Sequence, residues 1–276
     1  LALVPAHRAR GRVPPGAGAQ LLAAAIDFAA VAEGLMTPSL LAGGGRAQRS
    51  ALDDLLRQEA FSPVFQPIVS LADGRVTGYE ALTRFTDGAD PKLRFAEAAA
   101  LDRGIDLEAA TLTAALRAAA ALPLQGWLSV NVSPALVLSE GLLTRLLVGC
   151  PLPVVLELTE HDPVDDYAEL SDALGALRPA ARLSVDDAGS GFASLRHVLA
   201  LEPEFVKLDQ SWVSGIHGDP ARQALVAALG HFASRTGAAL IAEGIETERE
   251  RGMLAELDVG LGQGYLFGPP KALPAA

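Results

Sequence analysis

Polar and apolar positions change period repeatedly along this chain. From about Ser50, short runs rich in Val, Ile and Leu alternate with longer Ala- and Leu-rich stretches of helical period. That alternation is the mark of an α/β fold on a largely parallel sheet. Val64 to Leu71 and Arg75 to Phe85 read as strands joined by a turn at Ala72-Asp73-Gly74, a hairpin that sets one strand against the rest. Helices are expected near Phe95 to Asp102 and Leu107 to Ala121. Further strands are expected at Trp127 to Val132, Val154 to Glu160, Arg182 to Asp187, Glu204 to Leu208, Ala239 to Glu243 and Val259 to Leu266, with helical stretches between most of them. About eight strands in roughly 225 residues fit a (β/α)8 TIM-like barrel with one antiparallel strand. A doubly wound open sheet is the alternative, and no glycine-rich dinucleotide fingerprint supports it.

The first 50 residues differ. They are rich in Gly, Ala and Pro around one apolar run, Leu21 to Met36, which is too short to span a bilayer and is broken by Asp27 and Glu33. No basic-then-apolar signal layout is present. This stretch reads as a linker with one amphipathic helix, the tail of an upstream sensor domain, and Gly43 to Gly45 is expected to separate it from a domain over 51–276.

The strands carry polar residues near their carboxyl ends. Glu80 lies on the second hairpin strand, Asn131 ends the next, and Glu157 and Glu160 lie on the one after. Asp186-Asp187, then Lys207 with Asp209, then Glu243 with Glu246 follow on successive strands. Any one of these is explained as a helix cap or a surface charge. Six strands behaving alike need another reason, because such groups are costly to bury unpaired. In a barrel these ends converge on the rim where catalytic groups sit.

Glu80, Asn131, Glu157, Asp186 and Asp187 form an all-oxygen donor set, which suits two Mg²⁺ or Mn²⁺ ions better than zinc. Paired ions of this kind serve phosphoester cleavage. Lys207 is placed to orient water or steady phosphoryl oxygens, and Glu243 to accept a proton. Charge sharpens the picture: 33 acids against 22 Lys and Arg give −11 over 276 residues. Residues 1–50 hold five Arg and two acids, so the remainder carries −14. That balance argues against gripping DNA or RNA polymers. It leaves room for a small anionic ligand met through cations. The single Cys150 allows no internal disulfide and fits a cytoplasmic location, and the five His show no zinc spacing.

The same residues carry a resemblance. Phe65-Gln66-Pro67-Ile68-Val69 and Tyr79-Glu80-Ala81-Leu82-Thr83-Arg84-Phe85 are similar to the opening of the EAL domain family of cyclic di-GMP phosphodiesterases. So, in family order, are Val130-Asn131-Val132-Ser133, Glu157-Leu158-Thr159-Glu160, the run Asp186 to Leu195, Val206-Lys207-Leu208-Asp209, Ala242 to Thr247 and Gln263 to Gly268. The resemblance implies a bacterial signalling enzyme that hydrolyses cyclic di-GMP to linear 5'-pGpG, with two metal ions activating water for in-line attack, and a homodimer. It implies Glu80, Asn131, Glu157 and Asp186 as metal ligands and Asp187 as ligand of the second ion. Lys207 is implied beside the attacking water and Glu243 as general base. Glu160 would anchor the loop after the Asp pair. Gln66, Leu82, Arg84, Asp209, Glu246 and Gln263 would contact the ligand. Ala188, Phe192 and Phe85 depart from the usual family residues; Ala188 directly follows the Asp pair, which puts the stability of that loop, and with it turnover or regulation, in question. A receptor that binds the dinucleotide without cleaving it is the alternative, as is an unrelated barrel enzyme with one Mg²⁺.

Overall fold

The computed structural model describes residues 38–121, 125–158, 164–178, 180–188 and 192–272. The strands are β1 (Phe61–Ser70), β2 (Val76–Phe85), β3 (Trp127–Val132), β4 (Val154–Leu158), β5 (Ala181–Ala188), β6 (Phe205–Leu208), β7 (Ala239–Ala242) and β8 (Leu261–Gln263). They close into one barrel in sequence order. Strand β1 runs antiparallel to both β2 and β8, and the other pairs are parallel. The expected hairpin is present. Ser70 N–H donates to the Arg75 carbonyl at 2.9 Å, and Gly74 turns the chain at φ +70°.

Helices alternate with strands from β2 onward. Two of them start earlier than periodicity implies. The helix Pro91–Ala100 begins where Asp90 accepts from Lys92 N–H, with Pro91 at its first position. The helix Gly104–Ala120 begins three residues before Leu107. Outward-facing strand residues such as Leu128, Val130, Leu156 and Leu158 pack against Leu112, Leu116, Leu136 and Leu170 of the helices. On the other side, Val206, Leu208, Leu240 and Ala242 pack against Val213, Ile216, Val226 and Leu254. Each buried Leu, Ile or Val among them contributes about 1.5–3 kcal/mol of apolar transfer.

The chain divides into compact units at 1–52 and 53–276, and the second holds the barrel. The run Leu21 to Met36 lies outside the described residues. The reading of Gly43 to Gly45 as a separator is corrected, because these glycines lie inside the helix Pro38–Arg57. Three glycines cost about 3 kcal/mol relative to alanine. Pro38 opens the helix, and the helix-favouring run from Arg46 to Arg57 after the glycines offsets that penalty. No described helix is long and apolar enough to cross a membrane.

The barrel interior follows the period-two alternation of its strands. Register sets Gly78 beside Trp127, Val155 beside Arg182 and Phe205 beside Ala239 toward the amino ends. It sets Gln66 beside Glu80 and Asn131 beside Glu157 toward the carboxyl ends.

Candidate active site

Two residues further along the inward faces of β2, β4 and β6, Gly78, Val155 and Phe205 give way to Glu80, Glu157 and Lys207. Lys207 on β6 is 1% exposed and sits among four carboxylates from four other segments. Its Nζ lies 2.7 Å from Glu243 Oε1, 3.0 Å from Glu157 Oε2, 3.4 Å from Asp186 Oδ1 and 3.6 Å from Glu80 Oε2. Glu80, Glu157 and Asp186 come from β2, β4 and β5, and Glu243 directly follows β7. Asp209, the nearest acid in sequence, is not among these partners. It caps the short helix Gln210–Val213 by accepting from Ser211 N–H at 2.9 Å.

The acids are held in place by neutral donors. Glu157, fully buried, accepts from Ser129 Oγ and from Lys207 Nζ. Glu80 accepts from Asn131 Nδ2 at 3.1 Å and from Gln263 Nε2 at 2.6 Å. Gln263 Nε2 also donates to Gln66 Oε1 at 2.8 Å, and Gln66 Nε2 donates to the Gly268 carbonyl at 3.2 Å. Gln66 and Gln263 therefore form a buried amide relay behind Glu80, while Gln263 Oε1 is buried without a hydrogen-bond partner.

Electrostatics follow from this crowding. Burial pushes Glu157 well above the usual carboxylate range; Lys207 opposes the shift, and the charges of Glu80 and Asp186 add to it. Burial, with Asp186 and Glu80 nearby, pushes Glu243 up to about 8. Burial also pushes Glu80 upward, but Lys207 and the Gln263 and Asn131 amides outweigh it and hold Glu80 below its ordinary value. For Lys207 burial works downward, yet the four carboxylates prevail and keep the ammonium charged. Four acids around one cation are an excess of negative charge. The site relieves it by binding protons or by binding cations, and its all-oxygen donors suit hard divalent ions. As they stand, these oxygens turn in on Lys207, and the described residues form no ready-made cage of three acids. Among the described residues the Asn131 side chain bonds only through its amide nitrogen, which leaves its carbonyl oxygen available to a cation.

The remaining expected residues fall around this centre. Leu82 and Arg84 continue the inward register of β2 past Glu80, Leu82 half-buried and Arg84 exposed, with Arg84 Nη1 donating to the Thr83 carbonyl. Glu246 lies in the loop after β7, where Gln210 Nε2 donates to it at 3.5 Å. Asp187 lies on β5, and its side chain is outside the described residues, as is Glu160. Two residues escaped the motif reading. Ser129 stands two positions before Asn131 on the same inward face, so period two alone points to it. Glu108 accepts from Ser133 N–H at 2.6 Å and from its hydroxyl, fixing the chain directly after Asn131. No local pattern marks that contact.

The closed barrel and this acid-ringed lysine define a TIM-like barrel protein whose reactive groups gather at the strand carboxyl ends. Residues 49–270 match the EAL domain, and the chain belongs to that family, the cyclic di-GMP phosphodiesterase family. It is 28% identical over 237 residues to the cyclic di-GMP phosphodiesterase PdeL of Escherichia coli K12, covering 80% of this chain and 65% of PdeL. It is 30% identical over 224 residues to the cyclic di-GMP phosphodiesterase RocR of Pseudomonas aeruginosa, covering 76% of this chain and 57% of RocR. Among solved structures, it is similar to Klebsiella pneumoniae BlrP1 in complex with calcium and cyclic di-GMP, with TM-score 0.69 and 31% identity over 77% of this chain and 56% of that one. BlrP1 is also known in complex with manganese and cyclic di-GMP. The chain spans between 27% and 65% of the length of the first curated relatives it matches.

Proposed function

We propose that this chain hydrolyses cyclic di-GMP to linear 5'-pGpG with the help of two divalent cations, Mg²⁺ or Mn²⁺. The observation that carries the reading is Lys207, buried among Glu80, Glu157, Asp186 and Glu243 at the carboxyl rim of an EAL-family barrel. The surplus of carboxylate oxygen and the uncommitted Asn131 carbonyl fit such cations. Glu80, Asn131, Glu157 and Asp186 would hold one ion, and Asp187 would join them for the second. When bound, two such ions supply positive charge opposite the phosphodiester and the acidity that makes water a nucleophile near neutral pH.

The chain's own residues supply the rest. Lys207 keeps a fixed positive charge beside the phosphoryl oxygens, where negative charge grows as water attacks in line. Glu243, beside Lys207 at the carboxyl rim, would accept the proton that the attacking water loses. The new P–O bond forms as the P–O3' bond breaks, and the departing 3' oxygen takes up a proton. Arg84 would meet phosphate, and Leu82, Asp209 and Glu246 the guanine bases, with Gln66 and Gln263 steadying Glu80 from behind. A cytoplasmic homodimer driven by an upstream sensor domain is the setting this reading expects.

The test is direct. Incubated with cyclic di-GMP and Mn²⁺, the chain is expected to yield a linear product resolved by chromatography, and Glu80→Ala to lose it by about a thousandfold or more. Binding without product would favour a receptor.

A further inference from the structure

A buried carboxylate outside the lysine cluster ties two rim loops together. Glu250, 6% exposed, lies in the first turn of the helix Glu248–Glu256. Its Oε2 accepts from Glu246 N–H at 3.1 Å and Thr247 N–H at 3.0 Å, while Thr247 Oγ1 accepts from Glu250 N–H at 3.3 Å. So far this is a capping box, which secures a helix start. The other oxygen does something a capping box does not require. Oε1 reaches across to Gly215 N–H at 2.9 Å, in the loop after β6, at the start of the 3-10 turn Ile216–Gly218.

The two loops so joined carry Asp209 and Gln210 on one side and Glu243 and Glu246 on the other. They meet again where Gln210 Nε2 approaches Glu246 Oε1. Gly244 makes that approach possible: at φ +65° it leaves the space Gln210 fills, and a Cβ there would lie 2.3 Å from Gln210 Cγ. On its far side the β7 loop is fixed to β8 by Ile245 N–H donating to the Gln263 carbonyl at 3.0 Å. Glu250 supplies the matching hold on the near side. We infer that Glu250 is a positioning residue that locks the loops after β6 and β7 into one surface, so that Asp209, Gln210 and Glu246 meet the dinucleotide together; the inference rests on the cyclic di-GMP reading above.

Thr247→Ala removes the hydroxyl that accepts from Glu250 N–H and leaves both carboxylate oxygens engaged, whereas Glu250→Ala keeps that hydroxyl cap and removes the carboxylate's bonds to Glu246, Thr247 and Gly215 N–H. The measurements are the calorimetric Kd for cyclic di-GMP with Ca²⁺, KM and kcat with Mn²⁺, and Tm. Glu250→Ala is expected to raise Kd and KM roughly tenfold with kcat changed by no more than about twofold. Thr247→Ala is expected to lower Tm and leave KM unchanged. Glu250→Gln, which keeps one acceptor oxygen, should fall between wild type and Glu250→Ala, and it carries the test if Glu250→Ala does not fold. Unchanged Kd and KM on loss of Glu250, or an equal rise in Thr247→Ala, would overturn the inference alone. A wild-type chain that neither binds nor cleaves cyclic di-GMP would overturn the underlying reading and the inference with it. One that binds without cleaving leaves the decision to Kd.

Discussion

The two ends of the barrel use the same strands and hold together by opposite means. At the amino end, Trp127 on β3 stacks on Phe205 on β6 with ring centroids 5.3 Å apart, and the Arg182 guanidinium from β5 lies over both rings at 5.2 and 4.9 Å. Gly78 on β2 makes room for the indole, since a Cβ there would come within 2.6 Å of it. This plug combines apolar burial with cation–π attraction, and both act at any ordinary pH. At the carboxyl end, four acids crowd one lysine. One strand alternation thus places groups that stabilise the fold below and groups whose mutual repulsion must be relieved above. Stability and chemistry occupy separate ends of the barrel, which allows one to be changed while the other is read.

The largest contrast should come from Lys207→Met. Turnover is expected to fall about a thousandfold or more, because the fixed charge beside the phosphate is lost. Removing the lysine also leaves buried acids uncompensated, at a cost of about 3–5 kcal/mol that shrinks at lower pH as they protonate. Steady-state kinetics and denaturant titration at two pH values check both parts. Trp127→Ala tests the other end. It should cost about 3–5 kcal/mol of stability while kcat per folded molecule stays within about twofold. A collapse of kcat there would break the separation of roles.

Next in size is the pH dependence of the metal-free protein. A carboxyl with a higher pKa folded than unfolded binds more protons in the folded state between the two values, so stability falls as pH rises through that window. For Glu243 the window runs from 4.5 to about 8. The Tm should therefore drop across it, and Glu243→Gln should flatten the slope and be relatively more stable at its upper end. Mn²⁺ should raise Tm more at the upper end than at the lower, because ligating acids must give up protons. A Tm independent of pH in both proteins would contradict the account of the crowded end. The smallest effect belongs to Ser129→Ala, which removes one donor from Glu157: about 1 kcal/mol in stability and a several-fold loss in kcat.

The same contrast explains what the sequence made legible. Asn131, Glu157, Asp186 and Lys207 stand out because a charged or amide side chain in an apolar strand is visible without knowing its neighbours. The hairpin followed from Asp73-Gly74, and β3 was located to the residue. Strand ends were harder: β8 is confined to Leu261–Gln263 because only those residues meet β1 and β7, a limit set by partners elsewhere in the chain. The amino-end plug was invisible. Trp127, Arg182 and Phe205 look like ordinary strand-start residues until the register of β3, β5 and β6 superposes them. The Gln66–Gln263 relay escaped for the same reason, since it joins the first strand to the last. Gly43 to Gly45 misled because a local signal for interruption was outweighed by the helical run that follows.

The central claim is that the carboxyl-end cluster directs water onto phosphorus. It is tested most directly by running the reaction with Mn²⁺ in ¹⁸O-labelled water and analysing the product by mass spectrometry. The account predicts linear pGpG with one heavy oxygen, carried on its 5' phosphate. A linear product with the label on the 3' hydroxyl, or no linear product at all, would contradict it.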